Sequence, residues 1–373
     1  MGHRGYMKLY NDADLARFKE KENKSFPIHP YALFMEKFPS FIELLEKMAT
    51  DLLSVENFRE RVDEARENTN DPINFYTFST EIKIAYFLKS KSNTFEILSA
   101  KANKPMPDFL ADEIYVEANM PHKNFIILNH LQEELKTIDK RFRFERRHYN
   151  SIMMPNINNG ETIYNEIAHI LQQYWGQNLD SSPKVVWQCQ LGETNKLCGI
   201  LDDPCAGYQA GMNQQSDPQE TISKYLKESL ASKVKDLNKN TGSDQYLMKN
   251  DLNKSHPNIL WSEFMFLQDF QCRNFLNEFD WNQYGLPAQL DAQIISITDI
   301  DKDIEANKPN IEKIIIDKGI EIDCDCGFPT FILINGQANT EHVTAIRDFI
   351  CKVFPDNKPI TLTNTAEAME LFK

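Results

Sequence analysis

Glycine is scarce in this sequence, with 13 residues in 373. None stands in a G-x-G-x-x-G pattern or directly before Lys-Ser/Thr, so no loop built to cradle a nucleotide triphosphate is written here. The G-x-S-x-G pattern is missing as well, which disfavours a serine hydrolase of that type. No apolar run approaches the roughly 18 residues that a membrane span needs. The opening MGHRGYMKLYNDADL lacks the apolar core of a signal peptide. Cysteine is sparse and odd in number: seven, scattered from Cys189 to Cys351. That spread does not read as a secreted disulfide framework and fits a reducing cytoplasm. Positive charge is outnumbered, 41 basic against 55 acidic residues, for a net charge of −14. An acidic total excludes a surface that is basic all over, so any contact with nucleic acid must use a local patch.

What is present points to a packed α/β protein. Hydrophobic residues make up 41% and aromatics 11%, enough for a sizeable core. Residues 7–70 read as polar, amphipathic helices, closed by the break NTNDP at 68–72. INFYTFSTEIKIAYFLKSK (73–91) reads as a helix with Ser79 or Thr80 near the start of its regular part. Ile82, Ala85, Tyr86 and Leu88 give it an apolar face, with Glu81 beside that face. NTFEILSA (93–100), MPDFLAD and EIYVEANM read as three strands, rich in β-branched and aromatic residues. The stretch 124–179, including HLQEELKTIDKRFRFERR, reads as helical. KVVWQCQL (184–191) reads as a strand, 192–219 as loop and 220–239 as a helix. Strands are expected at 256–265 and 292–300, and the C-terminal part holds the apolar runs IEKIIIDKGIEI and FPTFILING, a helix near 339–353 and a polar tail. No internal repeat is evident.

Within that order, two carboxylates stand on a hairpin. Asp108 lies at the entry of one strand and Glu117 near the end of the next. Cleaving a phosphodiester needs an activated water and an electrophilic clamp on the phosphate, and Mg²⁺ supplies both. Mg²⁺ takes hard oxygen ligands, which Asp and Glu provide. The set Pro107-Asp108, then Glu117-Ala118-Asn119, with Glu81 on the preceding helix, resembles the PD-(D/E)xK nuclease superfamily. The helix at 220–239 and the strand PNIL at 257–260 match that family's later core elements. The resemblance covers residues 72–125 and 218–265, under half of the chain.

The resemblance implies a restriction-endonuclease-like mixed sheet flanked by helices. It implies an N-terminal helical region (1–70), a core (71–265) interrupted by a helical insertion at about 124–219, and a C-terminal α/β extension (266–373). It implies Mg²⁺ or Mn²⁺ held by Glu81, Asp108 and Glu117, and nucleic acid, DNA rather than RNA, as substrate. The sequence departs from the family at Asn119, which stands where the motif has Lys. An amide orients a water by hydrogen bonding but carries no charge. Either Lys233 or Lys123 takes over that charge, or catalysis is gone and the fold serves a binding or scaffolding role, alone, as a homo-oligomer or with a partner protein.

Other signals carry less. KRFRFERRH (140–148) interleaves base and aromatic, so Arg141, Arg143, Arg146 and Arg147 are candidate phosphate contacts. The bland reading is a solvated helix with its Phe residues turned inward. Cys324-Asp325-Cys326 with Cys351, and Cys198 with Cys205, lack zinc-site spacing. Glu166 and His169 form one E-x-x-H without a second to complete a metal bundle. His122 and His130 read as loop or helix-surface residues, with His122 closer to the hairpin.

Overall fold

The computed structural model describes residues 6–20, 29–67, 72–98, 107–120, 123–147, 160–177, 184–190, 196–202, 226, 230, 256–266, 279–281, 284–287, 290–299 and 331–365. Within them the chain is α/β, with a mixed seven-stranded sheet and eight helices. Four helices come first: α1 (Asp12–Glu20), α2 (Pro30–Lys37), α3 (Pro39–Leu52) and α4 (Phe58–Glu67). Pro30 and Pro39 each open a helix, where the missing N–H costs nothing and the fixed φ is already helical.

The helix α5 (Pro72–Lys91) is the centre of the core. It is buried nearly all round: Phe75, Tyr76, Phe78, Ile82, Ile84, Ala85, Phe87 and Leu88 all lie inside. A helix apolar on every side must be covered on every side. The sheet covers one side of α5, and α2, α3 and α4 cover the other. Its regular part begins at Pro72, so Ser79 and Thr80 lie mid-helix rather than near its start. Both are buried, and the Ser79 hydroxyl donates back to the Phe75 carbonyl at 2.7 Å, a local bond that satisfies it inside the helix.

The main sheet runs in the order β1 (Phe95–Ile97), β2 (Phe109–Ala111), β3 (Ile114–Asn119), β7 (Asn258–Phe266), β9 (Ala292–Asp299), β10 (Phe331–Asn335), β11 (Ile360–Leu362). The first three strands pair antiparallel, β3–β7–β9 pair parallel, β10 is antiparallel to β9, and β11 is parallel to β10. The C-terminal strands therefore complete the same sheet as the hairpin. The helix α8 (Thr340–Val353), capped by the Asn339 side chain, packs on α5 from the far end. After β10 the chain turns at Gly336, whose N–H donates to the Leu362 carbonyl at 2.9 Å. A Cβ there would meet that oxygen at 2.6 Å. Gly336→Ala should therefore cost about 1–3 kcal/mol through overpacking. Chemical denaturation checks it, and a loss of a few tenths would mean β11 shifts freely.

Between β3 and β7 the chain builds a second unit. Its helices are α6 (Lys123–Ile138) and α7 (Gly160–Tyr174). Its sheet is β4 (Phe142–Arg147), β6 (Lys196–Leu201) and β5 (Lys184–Gln190), in that order and antiparallel. This corrects two expectations. The insertion is not purely helical, because α6 ends at Ile138 and RFRFERR is a strand. The alternation of Phe142 and Phe144 is a period-2 signal: Phe142 joins a buried cluster with Leu135, Ile167 and Leu171 of the helices, and Phe144 packs against that cluster. Part of the expected loop at 192–219 is likewise a strand, β6, buried from Leu197 to Leu201. Of 220–239, only Leu226 and Leu230 are described. Both are helical and buried, one turn apart. The small pair β8 (Gly285–Leu286) and β12 (Asn364–Thr365) closes the C-terminal end.

Candidate active site

A two-residue turn, Asp112-Glu113, fixes the hairpin. Both residues have positive φ, 47° and 67°. That backbone matches the right-handed twist of the flanking strands, and Asp tolerates it. The Asp112 carboxylate locks the turn by accepting from the Asn93 and Thr94 N–H groups at 2.8 and 2.9 Å and from Lys352 of α8. Partial burial works against the ionised form, but these donors outweigh it and hold the Asp112 carboxyl below the usual carboxylate range. The turn sets the register Ala111↔Ile114, Leu110↔Tyr115, Phe109↔Val116. One step further places Asp108 across from Glu117.

The two carboxylates the sequence singled out thus occupy opposed positions at the open end of the hairpin. Asp108 Oδ2 accepts the Ala118 N–H at 2.8 Å, which ties the mouth of the hairpin shut. Glu117 is buried, 7% exposed, and β3 runs beside Leu260 of β7 at that point. Glu81 arrives from the middle of α5 with a side chain 20% exposed. Burial first, then the charge of Asp108, pushes the Glu81 carboxyl up to about 8; Glu117 and Glu64 push the same way and Arg61 opposes them. The three candidate ligands therefore share one electrostatic environment.

A fourth member escaped the sequence reading. Arg61 of α4 places Nη2 3.4 Å from Asp108 Oδ1 and Nη1 4.0 Å from Glu81 Oε2. The same Nη2 donates to the Leu98 carbonyl at 3.1 Å. Burial pulls its pKa down, but Glu81, Asp108, Glu64 and Glu117 outweigh that and raise it overall. Among the described residues, no three side chains of His, Cys, Asp or Glu close into a group able to hold a metal ion. The donor chemistry still suits a hard cation: Glu81, Asp108 and Glu117 offer only oxygen, and a positive group already lies between two of them.

Asn119 ends β3 beside Ser262 of β7. Lys123 is the first residue of α6. Lys233 and His122 lie outside the described residues. In the insertion, Arg141 is bound within the protein, to Asp139 at 2.8–3.3 Å and to the Tyr174 and Gln177 carbonyls at 3.2 and 2.8 Å. Arg143 pairs with Asp202 at 3.1 Å. Arg146 and Arg147 belong to β4. Glu166 accepts the Trp187 indole N–H at 3.1 Å, and His169 lies exposed 3.4 Å from the Gln173 amide.

No family model, curated protein or solved structure matches this chain. The functional reading therefore rests on the site itself.

Two further buried groups form pairs of their own. His130 of α6 is fully buried, not on a helix surface as expected. Its Nε2 is 2.7 Å from Glu134 and its Nδ1 3.1 Å from the Tyr76 hydroxyl of α5, so it bridges α5 and α6. Lys83 of α5 is equally enclosed and forms an ion pair with Glu263 of β7. Its ammonium lies 5.6 Å from the centroid of the Phe41 ring. Cys198 is buried, Cys189 half-buried and Cys351 exposed. The other four cysteines lie outside the described residues.

Proposed function

We propose that this protein is a metal-dependent nuclease of the PD-(D/E)xK type, acting on DNA in preference to RNA. The observation that carries the reading is the register of the hairpin. It sets Asp108 across from Glu117, and α5 brings Glu81 into the field of both. Three carboxylates that repel one another at a half-buried position need a counter-charge. Glu81, Asp108 and Glu117 would hold Mg²⁺ or Mn²⁺. The ion, when bound, lowers the pKa of water and neutralises charge on the scissile phosphate.

The chain's own residues have definite tasks in this account. The Ala118 N–H keeps the Asp108 carboxylate at the mouth of the hairpin. Burial keeps Glu117 shielded from bulk water, where its charge acts more strongly. Burial and the Asp108 charge favour the protonated form of Glu81, so Glu81 would have to lose a proton to act as a ligand. Asn119 orients water through its amide. The charge that the motif places there must come from elsewhere: Lys123, Lys233 or, from α4, Arg61.

A second reading has its own support. Asn119 has no charge, and Arg61 already neutralises part of the cluster. A catalytically silent relative of the same fold, binding nucleic acid or a partner protein, would be built this way. Calorimetry with Mn²⁺ separates the two. The nuclease binds the ion in the wild type and loses binding in Glu117→Gln. A silent fold shows no Mn²⁺ binding in either.

A further inference from the structure

We propose that Arg61 is a tethered cation that competes with a divalent metal ion for the oxygens of Asp108 and Glu81. The proposal rests on the reading that these carboxylates are metal ligands, and it goes beyond it by naming what occupies their oxygens without metal. Arg61 belongs to α4, outside the helix and hairpin that carry the carboxylates. Its guanidinium reaches Asp108 Oδ1 at 3.4 Å and Glu81 Oε2 at 4.0 Å. One of these side chains comes from the hairpin and the other from α5.

The tether is a separate contact. Arg61 Nη2 donates to the Leu98 carbonyl, and Asn57, one turn earlier, donates from its side-chain amide to the Ile97 carbonyl at 2.8 Å. The Arg61 N–H in turn bonds the Asn57 carbonyl at 3.2 Å. Two side chains from the start of α4 thus grip two successive carbonyls at the end of β1. Asn57 reaches its place with φ of 67°, a conformation Asn tolerates better than most residues. The Leu98 carbonyl thus holds Arg61 near the carboxylates through a bond that they do not make.

Competition follows from size and charge. A divalent ion sits about 2.0–2.6 Å from its oxygen ligands. An ion on Asp108 and Glu81 would stand within reach of a guanidinium that now contacts both, and like charges at that range in a half-buried site repel strongly. Arg61 cannot lose its proton to relieve the conflict. It must swing off the carboxylates, still hinged near Leu98, before the ion can close the site.

The test is a Mn²⁺ titration by calorimetry on the full chain, comparing wild type with Arg61→Met and Arg61→Lys, alongside thermal unfolding in EDTA. Arg61→Met should bind Mn²⁺ at least about tenfold more tightly than wild type, because the repulsive charge is gone. Arg61→Lys, which keeps the charge but not the fork, should fall between them. In EDTA, Arg61→Met should unfold at lower temperature than wild type, and Mn²⁺ should raise its transition more than it raises that of wild type. A folded Arg61→Met with equal or weaker Mn²⁺ affinity overturns the competition and leaves the metal reading standing. If Arg61→Met fails to fold, unchanged affinity in Arg61→Lys overturns it instead. No Mn²⁺ binding by any of the three removes the metal reading, and the competition with it.

Discussion

Lys83→Met should lower the free energy of unfolding by about 3–5 kcal/mol, because it leaves the Glu263 carboxylate buried without its counter-charge. Lys83 is 1% exposed and Glu263 is fully enclosed. The pair joins α5 to β7, 180 residues away in sequence. Replacing both partners by apolar groups of similar shape, Lys83→Met with Glu263→Leu, should recover most of the loss, since the charge and its desolvation disappear together. Urea denaturation of the four members of the cycle reads the coupling. A single variant that loses under about 1 kcal/mol would mean that water reaches Glu263 in solution.

Glu81→Gln should change how stability responds to pH. In the folded protein the Glu81 carboxyl is raised from 4.5 to about 8, first by burial and then by Asp108. The folded state therefore binds more protons than the unfolded state between those values. Stability is greatest below the unfolded pKa and is lost as pH rises through the folded one. The full shift converts at about 1.4 kcal/mol per unit, and the one-fifth exposure of the side chain reduces it, leaving roughly 2–4 kcal/mol. Gln mimics the protonated form. The variant should match wild type below pH 4.5 and exceed it by that amount above pH 8, in metal-free buffer. Parallel pH curves for the two proteins would place Glu81 in solvent.

The parts of this site that were legible are those encoded by neighbours in sequence. The hairpin reads from its β-branched and aromatic strands, and its two-residue turn then dictates which side chains oppose one another. Glu81 reads from its place beside the apolar face of α5. Arg61 did not read, because it lies 47 positions before Asp108 in a helix, FRERVDEARE, dense with charge. An Arg there is ordinarily solvated, and only the packing of α4 against β1 makes it a partner. Lys83 was hidden for the same reason, since Glu263 is remote in sequence.

The misread strand at 142–147 shows the converse. Four of its six residues are charged, and a charged run between helices suggested more helix. The decisive signal was the alternation of two Phe residues, which becomes meaningful only when a helical layer is present to receive them. The strand at 196–201 was masked by the Gly- and Asn-rich residues around it. Five strands of the main sheet, β1, β2, β3, β7 and β9, were legible but not their order, and β11 at Ile360–Leu362 fell in what read as a polar tail. That β9, β10 and β11 extend the hairpin's own sheet depends on pairings that no local pattern carries.

The central claim is that Asp108 and its partners cleave a phosphodiester with a divalent ion, and a cleavage assay tests it most directly. Single- and double-stranded DNA and RNA would be incubated with Mg²⁺ or Mn²⁺, wild type beside Asp108→Asn. The Asn side chain keeps an oxygen for the Ala118 N–H, so the hairpin stays closed while the charge and the acceptor facing Arg61 are lost. The account predicts DNA cleavage by the wild type that EDTA abolishes, and a rate lower by at least about 100-fold in Asp108→Asn. Undiminished cleavage by Asp108→Asn would contradict the account. So would a wild type that binds DNA and cuts nothing under any of these conditions.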